Sequence, residues 1–354
     1  MLLMSLDLGF MQVKAYTLQL ILKFPALIGT PSAFELEQFK KDGELLSNII
    51  VTKFGKDNES GTETEETYYV GKKALDTDNS TICTRTDKTN NIQDEIELYA
   101  ALGFIYQYVK DEEVSIVTGL PVNDFKLAKT LEDNLVGVKK FGFGSHKERL
   151  KINVKKVIVI PQSAGAYFSY ILNDEGEILK DKANVAQGTT MVIDVGYKTS
   201  DIIVMRNGKY ISKQSSTVEF GMKDVHRELI RKIKRDYDVK YDFSEMDKIC
   251  RDKKISVMGR EYNIEYLISQ CEKPVARSII DHINLFIPDI KKIDKILCCG
   301  GTMNRIFPYF KDEYMSMGHQ EDTIILLENP EYSNAVGYYR YGMMMNGKNR
   351  SKTK

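Results

Sequence analysis

The chain has 354 residues, 42% of them hydrophobic and 28% charged, which suits one large two-lobed domain or two ordinary ones and excludes wholesale disorder. Lys plus Arg and Asp plus Glu each total 50, so the formal net charge is zero, whereas a protein that wraps nucleic acid with its own surface carries a clear basic excess. The five cysteines (Cys83, Cys250, Cys271, Cys298 and Cys299) form no C-x-x-C pair, which argues against a disulfide framework or a zinc site, and no apolar run approaches the ~20 residues that span a bilayer.

The start, Met1-Leu2-Leu3-Met4, reaches Asp7 without a positive leader, so no secretory signal is expected and the protein is read as cytoplasmic and reduced. Residues 2–8 read as a buried strand interrupted by Asp7. The polar stretch 56–67, with Gly61, is predicted to be a surface loop in an inserted subdomain. A helix is predicted over 93–110. Further short apolar strands, each bounded by Gly or Pro, are expected at 114–118 and 154–160. Gly142-Phe143-Gly144 lacks a strand–turn–helix setting and reads as a turn.

Residues 190–194 and 201–206 are predicted to form a hairpin, and Asn207-Gly208 to turn the chain into a second one, because Asn-Gly favours positive φ at both turn positions. Helical spacing of apolar residues covers 223–237 and 262–286. Another strand is expected at 296–299, followed by Gly300-Gly301. The basic residues Lys348, Arg350, Lys352 and Lys354 read as a disordered end. The histidines His146, His226, His282 and His319 show no triad or metal spacing and are assigned structural or surface roles.

Two turns, Asp7-Leu8-Gly9 and Asp194-Val195-Gly196, leave apolar strands in matching contexts, which suggests two similar halves. A carboxylate at the end of a buried strand is costly unless it is paired or faces a cation. The glycine lets backbone N–H groups approach phosphate oxygens. Two such carboxylates would suit a hydrated Mg²⁺, which keeps several waters and few protein ligands. A single turn of this kind would be an ordinary tight turn. Three further segments add weight: Ile160-Pro161-Gln162-Ser163-Ala164-Gly165-Ala166, Cys298-Cys299-Gly300-Gly301-Thr302-Met303, and Asn329-Pro330-Glu331-Tyr332-Ser333-Asn334-Ala335-Val336-Gly337. Taken singly, Gln162 could cap a helix, Gly300-Gly301 could be a plain turn, and the small residues at 333–337 read as helix packing.

In chain order these five segments resemble the phosphate 1, connect 1, phosphate 2, adenosine and connect 2 motifs of the superfamily of actin, heat-shock chaperones and sugar kinases. Within it the chain resembles the ParM group of bacterial actin-like proteins, through Phe24-Pro25-Ala26-Leu27-Ile28-Gly29, Tyr68-Tyr69-Val70-Gly71-Lys72-Lys73-Ala74 and Thr118-Gly119-Leu120-Pro121-Val122 as well. The resemblance implies an α/β actin-like fold with two ribonuclease-H-like lobes flanking a nucleotide cleft. The implied lobes are 1–165, with an inserted subdomain at about 29–68, and 166–328, with one at about 219–289. A terminal helix at 329–346 would return to the first lobe, ahead of a basic tail at 347–354.

It further implies binding of ATP, or GTP, with Mg²⁺ held mostly through water by Asp7 and Asp194. Gly9, Phe10 and Lys14 would line the first phosphate loop, and Gly196, Tyr197, Lys198 and Thr199 the second. Gln162 would position the attacking water, and its neutral amide implies slow hydrolysis. Gly300, Gly301 and Thr302 would let base and ribose approach the backbone, with Gly221 and Lys234 as further candidate contacts. Met11 departs from the small or polar residue usual in the first loop, which bears on turnover.

The implied function is a self-assembling ATPase whose filaments segregate plasmid DNA through an adaptor protein bound to centromeric DNA. This chain itself would touch neither nucleic acid nor membrane. Two alternatives stay open. A small-molecule kinase of the same superfamily would need a carboxylate base that no motif between connect 1 and phosphate 2 supplies. A chaperone-like module would need a long region after the terminal helix, although an ATP-binding scaffold that does not polymerise would not.

Overall fold

Residues 3–8 of the strand Leu2–Leu8 (β1) are all buried, the apolar Leu2, Met4, Leu6 and Leu8 on one face and Leu3, Ser5 and Asp7 on the other, the mark of a central strand covered on both sides. It belongs to a computed structural model that describes residues 1–32, 49–56, 62–77, 80–82, 92–109, 113–144, 146–287 and 289–352. The chain forms two units, Met1–Leu179 with Asn334–Lys354, and Lys180–Ser333. The first unit therefore extends past residue 165 to Leu179, because the segment after 171 folds back through a bridge between Leu172 and Ile178.

In the first unit, β1 is followed by β2 (Gln12–Tyr16), β3 (Ile21–Pro25), β4 (Leu27–Gly29), β5 (Ile49–Lys56), β6 (Glu63–Val70), β7 (Ser80–Ile82), α1 (Ile92–Val109), β8 (Glu113–Leu120), α2 (Ala128–Leu135), β9 (Gly137–Phe143), β10 (His146–Pro161) and α3 (Ala164–Ile171). The described strands form one sheet in the order β3-β2-β1-β8-β10-β9-β5-β6-β4-β7. β1, β2 and β3 run antiparallel, while β8 is parallel to both β1 and β10. Its core joins Met4, Leu6, Ile96, Leu102, Ile116 and Val154, and Tyr99 stacks on Phe141 with ring centroids 4.8 Å apart.

The second unit runs α4 (Ala183–Gln187), β11 (Thr189–Val195), β12 (Ser200–Arg206), β13 (Lys209–Tyr210), β14 (Ser216–Val218), α5 (Met222–Tyr237), α6 (Phe243–Asp252), β15 (Lys254–Val257), β16 (Arg260–Asn263), α7 (Glu265–Phe286), β17 (Lys295–Cys299), α8 (Met303–Ser316) and β18 (Ile324–Leu326). Its sheet has the order β13-β12-β11-β17-β18, with β14 also on β12. β11 and β12 are antiparallel, and β17 is parallel to β11 and β18. The order and directions of β3-β2-β1-β8-β10 are thus repeated by β13-β12-β11-β17-β18. This duplicated α/β plan is the actin-like fold. Met222, Val225, Leu229 and Ile233 of α5 lie on one helical face and are buried in this unit's core.

The closing helix α9 (Ser333–Lys352) packs on the first unit through small residues. A Cβ on Gly337 would fall on the Gly165 carbonyl, and one on Gly165 would lie 2.6 Å from the Asn334 carbonyl oxygen. The Asn334 side chain accepts the Ala166 N–H at 3.1 Å, and Arg340 Nε donates to Asp174 at 2.9 Å. The small residues at 333–337 are packing residues, as read.

Some expectations need correction. Of the stretch 56–67, residues 57–61 lie outside the described residues, but 63–67 belong to β6, which pairs with β5 rather than looping. Its polarity reflects cross-strand pairs such as Lys53 opposite Glu66 and Lys56 opposite Glu63. Gly142 and Phe143 end β9, so the turn starts only at Gly144, whose φ is +70°. The helix expected from 262 starts at Glu265, because 260–263 pair with β15 instead. The expected tail is helical up to Lys352, while Lys354 and Lys110 lie outside the described residues, as do 33–48 of the expected insert.

Candidate nucleotide site

Each unit presents its Asp-x-Gly turn on the same device. In the first, β1 and β2 pair so that Asp7 lies directly across from Lys14 and Leu8 from Val13. The turn Gly9-Phe10-Met11-Gln12 is closed by the Gly9 N–H donating to the Gln12 carbonyl at 3.1 Å. In the second, Asp194 lies across from Asp201 and Val195 from Ser200, and the Gly196 N–H donates to the Thr199 carbonyl at 3.0 Å. The glycine is required in the first turn, where a Cβ would stand 2.6 Å from the Gln12 carbonyl oxygen.

Both aspartates are buried, at 4% and 6% exposure. Lys14 Nζ lies 3.4 Å from the Asp7 carboxylate, so the first turn carries its own counter-charge. Met11 is half-buried, and its carbonyl is tied down by the Ala26 N–H at 2.9 Å. Gln162 follows Pro161 at the end of β10, two strand spacings from β1, about 10 Å. Its N–H donates to the Leu120 carbonyl at 2.8 Å, and its carbonyl accepts the Tyr338 hydroxyl at 3.0 Å and the Gly165 N–H at 3.1 Å. The backbone carbonyl of Gln162 thus takes up an N–H from the first turn of α3.

In the second unit the turn is built into its surroundings. The Met222 and Lys223 N–H groups at the start of α5 donate to the Gly196 and Tyr197 carbonyls, at 3.2 and 2.8 Å. A Cβ on Gly221 would stand 2.5 Å from the Tyr197 carbonyl oxygen, so Gly221 lets the helix meet the turn backbone to backbone. Gly221 thereby supports the loop from beneath. Thr302 is buried, and its hydroxyl donates to the Gly196 carbonyl at 3.1 Å. Gly300, at φ +97°, brings its Cα against Asp194, where a Cβ would stand 2.5 Å from Oδ1. Beside Gly301 a Cβ meets nothing within 4 Å, which leaves the space a base or ribose would need. Lys234 is not brought to this cluster. It lies thirteen residues along α5 from Gly221, about 20 Å, and pairs with Asp238 at 2.5 Å.

Sequence reasoning named one residue here only as part of a hairpin and another only as structural. Asp201 is buried on the same face as Asp194 and accepts a hydrogen bond from Thr217. Two carboxylates opposite one another on a strand pair repel, and a hard divalent cation relieves that repulsion. The oxygen-only donor set therefore fits Mg²⁺, and among the described residues no group of three or more His, Cys, Asp or Glu forms a cage of another kind. The signal was present: Asp201 follows Asp194 by the seven residues that separate Lys14 from Asp7. The second residue is His226 of α5, buried with its ring edge-on to Tyr197 at 5.7 Å. Burial pulls it down from its ordinary 6.5 to about 4 and pushes the Tyr197 hydroxyl up to about 12.

Residues 5–165 match the family model for the N-terminal domain of actin-like proteins, and 192–311 the model for the C-terminal domain of the MreB-like archaeal actin homologue. No curated protein matches the sequence. Among solved structures, the chain is similar to the 15-stranded ParM filament from Clostridium botulinum, with 22% identity over 96% of this chain and 98% of that one and a TM-score of 0.77. It is similar to the archaeal actin homologue Ta0583 in complex with ADP, with 18% identity over 99% and 100% and a TM-score of 0.74. It is also similar to Bacillus thuringiensis ParM with AMPPNP, with 18% identity over 98% and 99% and a TM-score of 0.69. Both halves of the duplicated plan thus match actin-like models, and the chain belongs to the actin-like protein family, with the fold of the ParM structures.

Proposed function

We propose that the chain is a nucleotide-hydrolysing protein that assembles into filaments. The carrying observation is the duplicated hairpin, with a buried aspartate and a glycine-opened turn at the same register in each unit. In this reading Gly9, Phe10 and Lys14 bind phosphate oxygens in the first turn, and Gly196, Tyr197, Lys198 and Thr199 in the second. Lys14 supplies a point charge. Asp7 and Asp194, with Asp201, hold Mg²⁺, mostly through its waters, and the metal supplies charge neutralisation on the phosphates when bound. Gln162 orients the attacking water, and its firmly held backbone keeps the amide in place. Gly300, Gly301 and Thr302 form the base and ribose side. Lys234, paired with Asp238 well along α5, is the weakest of the candidates.

ATP is the proposed nucleotide, with GTP as the competitor. The filament reading draws on the ParM filament among the similar structures, and plasmid segregation through a DNA-bound adaptor is the proposed use. Zero net charge suits a chain that leaves DNA contact to another protein. No described helix is long and apolar enough to cross a membrane, which is compatible with the proposed cytoplasmic setting.

The test combines light scattering with phosphate release in Mg²⁺ and ATP, GTP or a non-hydrolysable analogue. The chain should scatter with ATP and then decay, and hold its scattering with the analogue. Asp194→Ala should lose about 100-fold or more in turnover while staying folded. Unchanged turnover in that variant would sink the site. Absent scattering with nucleotide bound would sink the filament, and phosphorylation of a sugar or carboxylic acid would replace it with a kinase.

A further inference from the structure

Helix α7 is buried along one face and bare along the other. Ile268, Cys271, Val275, Ile279 and Ile283 pack into the core of the second unit, and the Arg305 guanidinium of α8 donates to the buried Glu272 at 2.7 Å. On the opposite face Gln270, Lys273, Pro274 and Arg277, spaced three and four residues apart, are exposed and line an open groove of about 500 Å³. The backbone beneath the groove is thus fixed before anything enters it, which keeps the ordering cost of binding low.

Two features of this face work against the helix that carries it. Pro274 has no N–H, so the Gln270 carbonyl loses its donor four residues on, and proline is the least favourable residue for a helix interior. Being exposed, Pro274 recovers nothing through burial in the core. Lys273 and Arg277 are like charges at i and i+4, which repel. No ion pair among the described residues includes either of them, and the carboxylates around Cys271 in this stretch, Glu228 and Glu272, are committed to Arg231 and Arg305. Lys232 of α5 adds a third cation at the rim, where it donates to Gln270 Oε1 at 3.1 Å. Asp281, next on this face, lies one turn beyond Arg277 and does not line the groove. The groove therefore combines an apolar floor with a net positive rim.

We propose that this face of α7 binds an acidic helical segment of another protein, one that lays an apolar side chain on Pro274 beside two carboxylates a helical turn apart. Charge complementarity selects the occupant. Lys273 and Arg277 stand one turn apart, about 5–6 Å between Cβ atoms, the spacing of carboxylates at i and i+4 on a facing helix. Their mutual repulsion is relieved only when such carboxylates arrive, and pairs of this kind steer association and fix register. A simple anion would leave the apolar floor uncovered. Duplex DNA draws its affinity from many phosphate contacts, and three cations on a chain of zero net charge do not supply them. The proposal depends neither on nucleotide hydrolysis nor on filaments.

The probe is a capped, fluorescein-labelled, alanine-rich helical peptide with two glutamates four residues apart and a leucine on the same face, titrated with the full chain and followed by anisotropy. A matched peptide with glutamines and a labelled DNA duplex run beside it. The glutamate peptide should bind saturably and lose affinity with added salt. The double variant Lys273→Gln, Arg277→Gln should bind it about tenfold more weakly, the scale of two partly desolvated ion pairs. That variant should melt at or above the parent's temperature, because a like-charge pair has been removed. Pro274→Ala should melt higher and bind the peptide severalfold more weakly, a gain in stability set against a loss of binding. Equal binding of the two peptides, or parental affinity in the double variant, overturns the proposal. Binding of the duplex that the double variant abolishes overturns it in favour of a nucleic-acid face. Loss of sedimentation of the chain itself with Mg²⁺ and a non-hydrolysable ATP analogue in the double variant, with no peptide bound by the parent, overturns it in favour of a contact between copies.

Discussion

Gly221→Ala isolates the junction between the second turn and α5. The glycine's φ of −167° is extended backbone open to any residue, so the effect of alanine is steric. The new Cβ would stand 2.5 Å from the Tyr197 carbonyl oxygen and 2.8 Å from that of Gly196, against ordinary contact from 3.4 Å. The turn must retreat by about 0.9 Å or the helix must shift. Either movement stretches the two hydrogen bonds that carry the turn, Met222 to Gly196 at 3.2 Å and Lys223 to Tyr197 at 2.8 Å. Each is worth about 1 kcal/mol, so the expected loss is about 2–3 kcal/mol. The urea midpoint should fall with the slope unchanged, and a fluorescent ATP analogue should bind about tenfold or more weakly because its phosphate groove has moved. Gly301→Ala is the contrast: with nothing within 4 Å of its Cβ it should melt like the parent and weaken only nucleotide binding. The reasoning is refuted if Gly221→Ala keeps its urea midpoint and binds the analogue within twofold of the parent.

Two further outcomes are expected. His226, buried beneath Tyr197 with Asp247 3.6 Å away and Arg305 nearby, stays neutral in the fold down to about 4. The unfolded chain takes up that proton near 6.5, so this residue costs stability as pH falls from about 6.5 to 4 and has no such effect above that window. Between pH 7 and 5 the cost is about 2 kcal/mol; urea midpoints should fall more steeply for the parent than for His226→Leu, and equal slopes would refute the assignment. Gly337→Ala places a Cβ on the Gly165 carbonyl and 2.8 Å from the Ser169 nitrogen. It should lift α9 from α3 and cost about 3 kcal/mol, read as a lowered melting temperature; a parental melt would mean the helices are not in contact.

Much of this architecture is legible in the residues because it depends on local chemistry. A run such as Leu2–Leu8 with every residue from 3 to 8 buried has one reasonable conformation. Asn207-Gly208 names its own turn. Small residues at 165 and 337 announce a close helix crossing before the partner is known. What escaped depends on pairing across distance. β6 looks like a loop because its Glu and Lys neighbours meet only across the ladder. Residues 260–263 carry helical-looking spacing, but β15 claims them. The spacing of Asp201 from Asp194 was in the sequence, but its meaning came from the register that sets the two across from each other. Lys234 stands about 20 Å along its helix from Gly221, a separation that only the rise per residue reveals. The buried position of His226 follows from its helical face, yet its neighbour Tyr197 comes from a turn some thirty residues earlier.

The seventh position after each strand-ending aspartate has a consequence for how such a chain diverges. A duplicated frame starts out with two equivalent ends and no way to tell one from the other. Here a single side chain per half breaks that equivalence: a lysine at 14 faces the first aspartate, and a second aspartate, at 201, faces the other. Each turn taken by itself therefore offers an anion a different local charge. The asymmetry between the two halves thus rests on two codons, one in each.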